Sequence, residues 1–530
     1  MGKSHINVLK GLRALLAILF FAPLLLYFVD FSGNIPEPRG MQFQIVPAVL
    51  KPVLWVILFH ILLAVVGGRL YCSIICPAGV LQDIINRLYC IGKKKRKGAM
   101  RFKYHPPYNI LRYTIAGATV IALGLGFTTL LALLDPYSNF GRIAANLFRP
   151  LVMWANNGAA QALESMDNYT LYQVTVKTAT TAGIIGGATA LLLFVVLTIW
   201  RGRLFCNTIC PVGAVLSLLS KFSLLRITFD PAKCNSCGSC ERTCKAEAVD
   251  SKAMTVDASR CVTCFNCTSS CPKHGLKYRF APAFGKRKGR ADSVEAEAPA
   301  ADSSRRQFIS TGVTVAASLP IISALAQHAE TVVNADPTLD NIDYDNLGPV
   351  TPPGSLSLKQ FRDKCTGCHI CVVQCPTQVL RPAGFEFGID YLLRPHCAFV
   401  SSYCNYDCMV CSEVCPSGAI SLASVEDKHT TQVGIATFNK NRCVVHTNGT
   451  DCGACAEHCP TTAVHMVPYT GTLTIPQVEP ELCIGCGGCE SICPVRPLRA
   501  IVVVANASHQ RIDPLEEEES EQIETEEFAF

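Results

Sequence analysis

The sequence predicts an α-helical membrane domain, four transmembrane helices with an internal repeat, joined to small α+β domains built around metal-ligating cysteines. Three observations carry this reading. Four apolar stretches cross the first 225 residues, at 14–29, 53–67, 113–134 and 182–200. One ten-residue motif occurs twice in that region. Beyond it, 24 of the 30 cysteines fall into six groups of four.

The helices come first in the chain. A spanning helix needs about 20 apolar residues; the third and fourth stretches meet this, and the first two are a little short. A buried core helix would explain one short segment, but no soluble core surrounds the four. Composition agrees, with 49% hydrophobic residues. The net charge of +6 is mild for 530 residues and calls for no nucleic-acid partner. The link at 69–112 carries ten Lys and Arg, among them Lys93, Lys94, Lys95, Arg96 and Lys97. The other two links carry two (Arg39, Lys51) and three (Arg142, Arg149, Lys177). The basic link is therefore expected in the cytoplasm, with both ends of the 1–225 domain inside. His60 in the second span and Asp135 after the third are candidate proton acceptors at a quinol site. Helix packing for His60 and a helix-terminating Asp-Pro turn for Asp135 are the competing readings.

The repeat is Gly68-Arg69-Leu70-Tyr71-Cys72-Ser73-Ile74-Ile75-Cys76-Pro77, matched by Gly202-Arg203-Leu204-Phe205-Cys206-Asn207-Thr208-Ile209-Cys210-Pro211. Each copy follows an even-numbered span, so both are expected at the cytoplasmic surface. Cysteines four apart on a helix share one face. Cys72, Cys76, Cys206 and Cys210 are thus candidates for an additional redox or metal site. Redox disulfides, a gate to a quinone pocket and a purely structural helix junction stay open beside it. Cys90 has no partner pattern.

Four of the six groups read C-x2-C-x2-C-x3-C: Cys234, Cys237, Cys240, Cys244; Cys261, Cys264, Cys267, Cys271; Cys365, Cys368, Cys371, Cys375; and Cys483, Cys486, Cys489, Cys493. Two are variants: Cys404, Cys408, Cys411, Cys415, and Cys443, Cys452, Cys455, Cys459. Proline follows the last cysteine in five groups; Lys245 is the exception. This is the bacterial ferredoxin run for [4Fe–4S] clusters, in which the fourth cysteine ligates the other cube. Exchange predicts six foursomes: Cys234, Cys237, Cys240 with Cys271; Cys261, Cys264, Cys267 with Cys244; Cys365, Cys368, Cys371 with Cys415; Cys404, Cys408, Cys411 with Cys375; Cys443, Cys452, Cys455 with Cys493; and Cys483, Cys486, Cys489 with Cys459. Cys397 competes with Cys404 for one position. Disulfides scatter cysteines and do not account for six repeats of one spacing. A haem reading of Cys365-Thr366-Gly367-Cys368-His369 fails because those cysteines complete a cluster run.

The expected order is a membrane domain at 1–225, a cytoplasmic two-cluster ferredoxin module at 226–280, a linker at 281–304, a twin-arginine-like segment at 305–326 (Arg305, Arg306), an extracytoplasmic four-cluster ferredoxin-like domain at 327–510, and an acidic tail at 511–530. Cleavage after Ala326 is an open alternative to a retained anchor.

The two Gly-Arg-Leu repeats followed by a two-cluster module resemble NapH-type membrane ferredoxins; the twin-arginine segment followed by four clusters resembles the NapG type. Related repeats occur in nitrous-oxide and methylamine-utilisation accessory proteins. The chain thus looks like a fusion of NapH-like and NapG-like parts. The resemblance implies a protein of the bacterial inner membrane that draws electrons from menaquinol, or from a cytoplasmic donor, and delivers them to an extracytoplasmic reductase. It implies a quinol dehydrogenase role in electron transport and no catalytic residues of its own. A maturation or repair factor for a periplasmic metalloenzyme is the alternative, and a redox sensor a third reading.

Overall fold

The computed structural model describes residues 8–94, 102–176, 180–281 and 347–512. These fall into two units: Met1–Thr331 with Lys359–His396 and Val410–Ile420, and Val332–Leu358 with Cys397–Met409 and Ser421–Phe530. The expected linker beyond residue 281, the twin-arginine segment and the tail beyond residue 512 lie outside the described residues.

The first unit is built on helices α1 (Val8–Val29), α2 (Leu54–Gly67), α3 (Pro77–Lys94), α4 (Asn109–Gly124), α5 (Thr129–Leu134), α6 (Pro136–Ile143), α7 (Thr181–Arg201) and α8 (Pro211–Ser220). Two of these, α1 and α7, are long and apolar enough to cross a membrane. At 1.5 Å per residue each runs about 32 Å, against about 30 Å of hydrocarbon. Their outward faces carry Leu15, Ile18, Leu19, Ile185, Leu192 and Trp200, all exposed. Helices α2 and α4 are apolar but shorter, with 14 and 16 residues.

The third apolar stretch differs from expectation: it forms two helices, not one. The chain turns between α4 and α5 at Gly126, whose φ of +84° suits glycine. Asp135 then starts α6 as its N-cap. Its carboxylate accepts from the Ser138 amide (2.8 Å) and hydroxyl (2.6 Å), and Pro136 follows at the first helical position.

The repeat seen in sequence is a repeat in space. Helices α2 and α7 end at Gly68 and Gly202, with φ of +74° and +64°. Arg69 donates to the Cys206 carbonyl (2.8 Å), and Arg203 donates to the Cys72 carbonyl. Each repeat thus holds the other through an arginine that water does not reach. Asp83 on α3 anchors one side, accepting from Arg13 (3.0 Å), Arg203 (2.7 Å) and Lys245. Burial alone would raise the Asp83 pKa, but Arg203 and Lys245 bring it well below the usual carboxylate range.

Residues 225–281 form a small α+β module. Strand β1 (Leu225–Phe229) pairs antiparallel with β4 (Leu276–Phe280), and β2 (Val249–Asp250) pairs with β3 (Thr255–Val256). The module packs at the N-terminal end of α1, where Lys10 meets Ser269 (3.3 Å). It also meets the C-terminal end of α2, whose Gly67 carbonyl accepts from Tyr278 (3.2 Å) and Thr263 (3.3 Å). The run beginning at Cys365 packs at the other end of α1 and against α6. Gln374 donates to the Tyr27 carbonyl at the end of α1 (3.0 Å). Arg142 of α6 donates to the carbonyls of Thr366 (2.9 Å) and Gly367 (3.0 Å).

The second unit is centred on a long antiparallel pair, β5 (Thr431–Phe438) with β8 (Ile501–Arg511), and a hairpin of β6 (Val464–Pro468) and β7 (Thr474–Val478). Its core contains Ala436, Val445, Val464 and Ile501 packed around Cys443, Cys483, Cys489 and Cys493.

Asp83→Asn leaves Arg13, Arg203 and Lys245 without their counter-charge. Removing one member of a buried ion pair costs about 3–5 kcal/mol. The variant is expected to melt several degrees below the native protein in scanning calorimetry; an unchanged melting temperature would contradict the assignment.

Candidate metal centres

A cysteine run can face one centre only if the backbone turns sharply between ligands. In all four regular runs the second and fourth residues after the first cysteine have positive φ: Ser236 and Gly238, Thr263 and Phe265, Gly367 and His369, Gly485 and Gly487. Left-handed residues are rare outside glycine, so Ser236, Thr263, Phe265 and His369 are held against local preference. The surrounding structure over-determines them, as at functional sites generally. A short helix follows, for example Asn266–Ser270 or Gly488–Ile492. The fourth cysteine is then extended, with Cys271 at ψ 112° and Cys375 at ψ 115°. That is the conformation a following proline requires.

Thiols interact electrostatically both within the expected foursomes and across them, as Cys267 does with Cys240 and Cys489 with Cys455. Cys240 feels the charges of Cys271 and Cys234. Cys261 feels Cys244 and Cys264, and Cys267 feels all three. Cys371 feels Cys368, Cys365 and Cys415. In the second unit Cys443 feels Cys452 and Cys493, while Cys489 feels Cys483, Cys486 and Cys459. Cys404 and Cys408 belong to the second unit and Cys411 and Cys375 to the first, so that foursome rests on spacing. Cys397 is buried and its amide donates to the Val350 carbonyl (2.8 Å); Cys404 donates from its amide to the Cys486 carbonyl (2.9 Å).

These positions fit a cationic iron–sulfur core. Burial pushes the Cys244 thiol up to about 11 and the Cys261 and Cys486 thiols up to about 12. A bare thiolate is costly there, and a bound cation offsets that cost. Backbone amides already point at sulfur: Ala248 to Cys244 (3.4 Å), Gly275 to Cys271 (3.2 Å), Gly367 to Cys365 (3.4 Å) and Ala436 to Cys483 (3.4 Å). Hydrogen bonds of this kind tune cluster potentials. Lys245, which replaces the usual proline, has its own task. Its ammonium reaches Asp83, and its carbonyl accepts from the Arg203 amide (2.8 Å).

The four repeat cysteines Cys72, Cys76, Cys206 and Cys210 are all buried, and Arg69 reaches both Cys72 Sγ (3.8 Å) and the Cys206 carbonyl (2.8 Å). Cys210 feels Cys206, Cys76 and Cys72.

Beside them is an apolar cavity of 380 Å³, lined by Val46, Val56, Ile57, His60, Thr119 and Leu216 among others. The Thr119 hydroxyl donates to the Ile115 carbonyl (2.8 Å). His60 Nδ1 donates to the Val56 carbonyl (2.7 Å), and its buried Nε2 makes no hydrogen bond of good geometry, with the Phe43 carbonyl also acting on the ring. A neutral imidazole that donates at Nδ1 accepts at Nε2. The His60 ring meets Tyr71 edge-on, with centroids 5.0 Å apart, and Tyr71 precedes Cys72. Asp135, the other proton-acceptor candidate, is occupied as a helix cap.

Sequence reading missed the Asp83 hub, the crossed arginines and the left-handed winding. Two of these had a signal. Asp83 is the lone acid in a link with ten Lys and Arg, and Arg69 and Arg203 are charges repeated at the ends of apolar stretches.

Known protein families match along most of the same segments. A 4Fe-4S binding domain matches twice in the helical part, over residues 51–98 and 184–229, one match per repeat. 4Fe-4S dicluster domains match residues 226–272, 403–463 and 448–496. A further 4Fe-4S binding domain matches residues 359–381. The chain is similar to ferredoxin-type proteins. The methylamine utilization ferredoxin-type protein MauN of Methylobacillus flagellatus is 29% identical over 197 residues, 36% of this chain and 54% of the relative. MauM of the same organism is 28% identical over 156 residues, 27% of this chain and 62% of the relative. The ferredoxin-type protein NapG of Escherichia coli is 28% identical over 153 residues, 27% of this chain and 64% of the relative. The chain thus spans between half and two thirds of each of these relatives. No solved structure matches.

Ligand exchange makes a paired prediction. Cys244→Ala and Cys267→Ala are expected to remove the same cluster signal from low-temperature EPR spectra, and Cys271→Ala and Cys240→Ala the other. Loss of one shared signal from Cys244→Ala and Cys240→Ala would contradict the pairing.

Proposed function

We propose that this chain is a membrane-bound electron-transfer protein with six [4Fe–4S] clusters, carrying electrons from the menaquinol pool, or from a cytoplasmic donor, to an extracytoplasmic reductase. The observation that supports it best is the placement of cysteine runs at both ends of the apolar helix α1. Lys10 near the start of α1 meets the 225–281 module, and Tyr27 near its end meets the run beginning at Cys365. Exposed leucines and isoleucines between those ends suit lipid. The described ends of the basic 69–112 link meet the module, Arg69 at the Ser259 carbonyl (3.1 Å) and the Tyr104 amide at Glu241 (3.1 Å), which favours a cytoplasmic location there. Bound clusters would supply one-electron chemistry.

The residues of this chain have definable tasks. The left-handed turns gather the thiolates, and buried amides stabilise them. Arg142 and Gln374 hold the Cys365 run against the helices. The cavity beside His60 has the size and apolar wall of a ligand site. The His60 Nε2 is suited to take the proton that a hydroquinone must release on oxidation. The fusion of NapH-like and NapG-like parts, with a twin-arginine-like crossing between, follows the same reading.

The protein in lipid nanodiscs, kept anaerobic, is expected to bleach in its iron–sulfur absorbance when a menaquinol analogue is added. His60→Leu is expected to slow this at least 10-fold, with reduction by dithionite unchanged. Failure of the native protein to be reduced by the quinol analogue would sink the quinol donor and leave the cytoplasmic one.

A further inference from the structure

The two Gly-Arg-Leu repeats bury more positive charge than their protein surroundings neutralise. Arg69 is fully buried and has no carboxylate partner among the described residues. It bonds Asn207 Oδ1 (2.6 Å), the Ser259 carbonyl (3.1 Å) and the Cys206 carbonyl (2.8 Å), approaches Cys72 Sγ (3.8 Å), and leaves Nε without a partner. Arg112 is equally buried. It donates to the Asn207 carbonyl (2.6 Å) and leaves Nη1 without a partner. Of the acids in the junction, Asp83 serves three cations, and Asp257, which faces Arg112, is bound by Arg260. Buried charges are matched in folded proteins. Neither guanidinium group has a carboxylate of its own, and Arg69 lies against Cys72 Sγ (3.8 Å).

We infer that Cys72, Cys76, Cys206 and Cys210 together ligate one further iron–sulfur cluster, shared between the two repeats. Neither repeat has four ligands; the crossed pair does. An oxidised cluster with four thiolates carries about two negative charges, matching the two uncompensated guanidinium groups. Neutral thiols, whether free or joined as disulfides, would leave both arginines unmatched. Among the described residues no group of three His, Cys, Asp or Glu is arranged to hold a metal ion, in this junction or in the ferredoxin runs.

The scaffold is built for close approach at this place. A Cβ on Gly79 would lie 2.2 Å from the Cys72 carbonyl oxygen, and one on Gly213 would lie 2.1 Å from that of Cys206. Each helix start is thereby pressed onto the first cysteine of its own repeat. The Gly213 amide points at Cys210 Sγ (3.3 Å) and Gln82 at Cys206 Sγ (3.4 Å). The junction also touches the ferredoxin module through Arg69 to the Ser259 carbonyl and Asn207 to the Ala246 carbonyl (3.1 Å). Through Tyr71 it adjoins the His60 cavity. The site thus lies between that cavity and the Cys244, Cys261, Cys264 and Cys267 foursome. It rests on the iron–sulfur reading of the chain, not on which donor feeds it.

Iron and sulfide counting with native mass spectrometry on the anaerobically purified full chain tests the inference. Six cubes give about 24 irons; a seventh centre gives about 26 to 28. Cys76→Ala/Cys210→Ala is expected to lose only that excess, with the remaining EPR signals intact. A native count of about 24 irons, or an unchanged count in the double variant with six cubes present, would overturn it. If the double variant does not fold, the native count decides. A chain free of iron would instead overturn the wider electron-transfer reading.

Discussion

Charge removed from water must be matched, and much of this protein answers that requirement. Arg69, Arg112, Arg142, Arg203 and Arg394 are among its most fully buried large side chains. Arg203 is matched by Asp83. Arg142 and Arg394 turn to backbone carbonyls in the Cys365 run, at Gly367 and Cys365. Each of these bonds ties a helix or loop to a cysteine segment. Burial of arginine is therefore not a defect in an apolar body. It fastens cofactor-binding loops to helices that would otherwise offer them only apolar contact.

The same requirement links local backbone to chemistry. Left-handed residues at two fixed offsets wind each regular run, and the amides they turn inward face sulfur. Thiols so buried resist ionisation until a cationic core arrives. Folding and cofactor binding are then one process, with the loop conformation, the buried amides and the distant arginines all favouring an anionic centre.

Much of this was legible in the sequence. The spacing of cysteines named the runs, and 4Fe-4S binding domains match over the same segments. Hydropathy located α7 to within one residue at each end and the C-terminal end of α1, but missed the first six residues of α1. The third stretch misled because apolar composition is insensitive to Gly126, which turns the chain between two shorter helices. Asp135 read as either a proton acceptor or a turn residue, and the hydrogen bonds of Ser138 make it a cap. What sequence could not show was long-range pairing. Arg69 and Cys206 are far apart in the chain, and no local pattern says that the repeats hold one another. Ser236, Thr263 and Phe265 gave no sign of left-handed backbone, because their conformations are imposed by the run and not by intrinsic preference.

The central claim is that electrons cross this protein from one end of its helices to the other. Sealed liposomes containing the protein, with a membrane-impermeant oxidised dye trapped inside, test it directly. An impermeant reductant added outside should reduce the trapped dye at a rate proportional to the amount of correctly oriented protein. A dye that stays oxidised while the iron–sulfur absorbance bleaches would contradict the account.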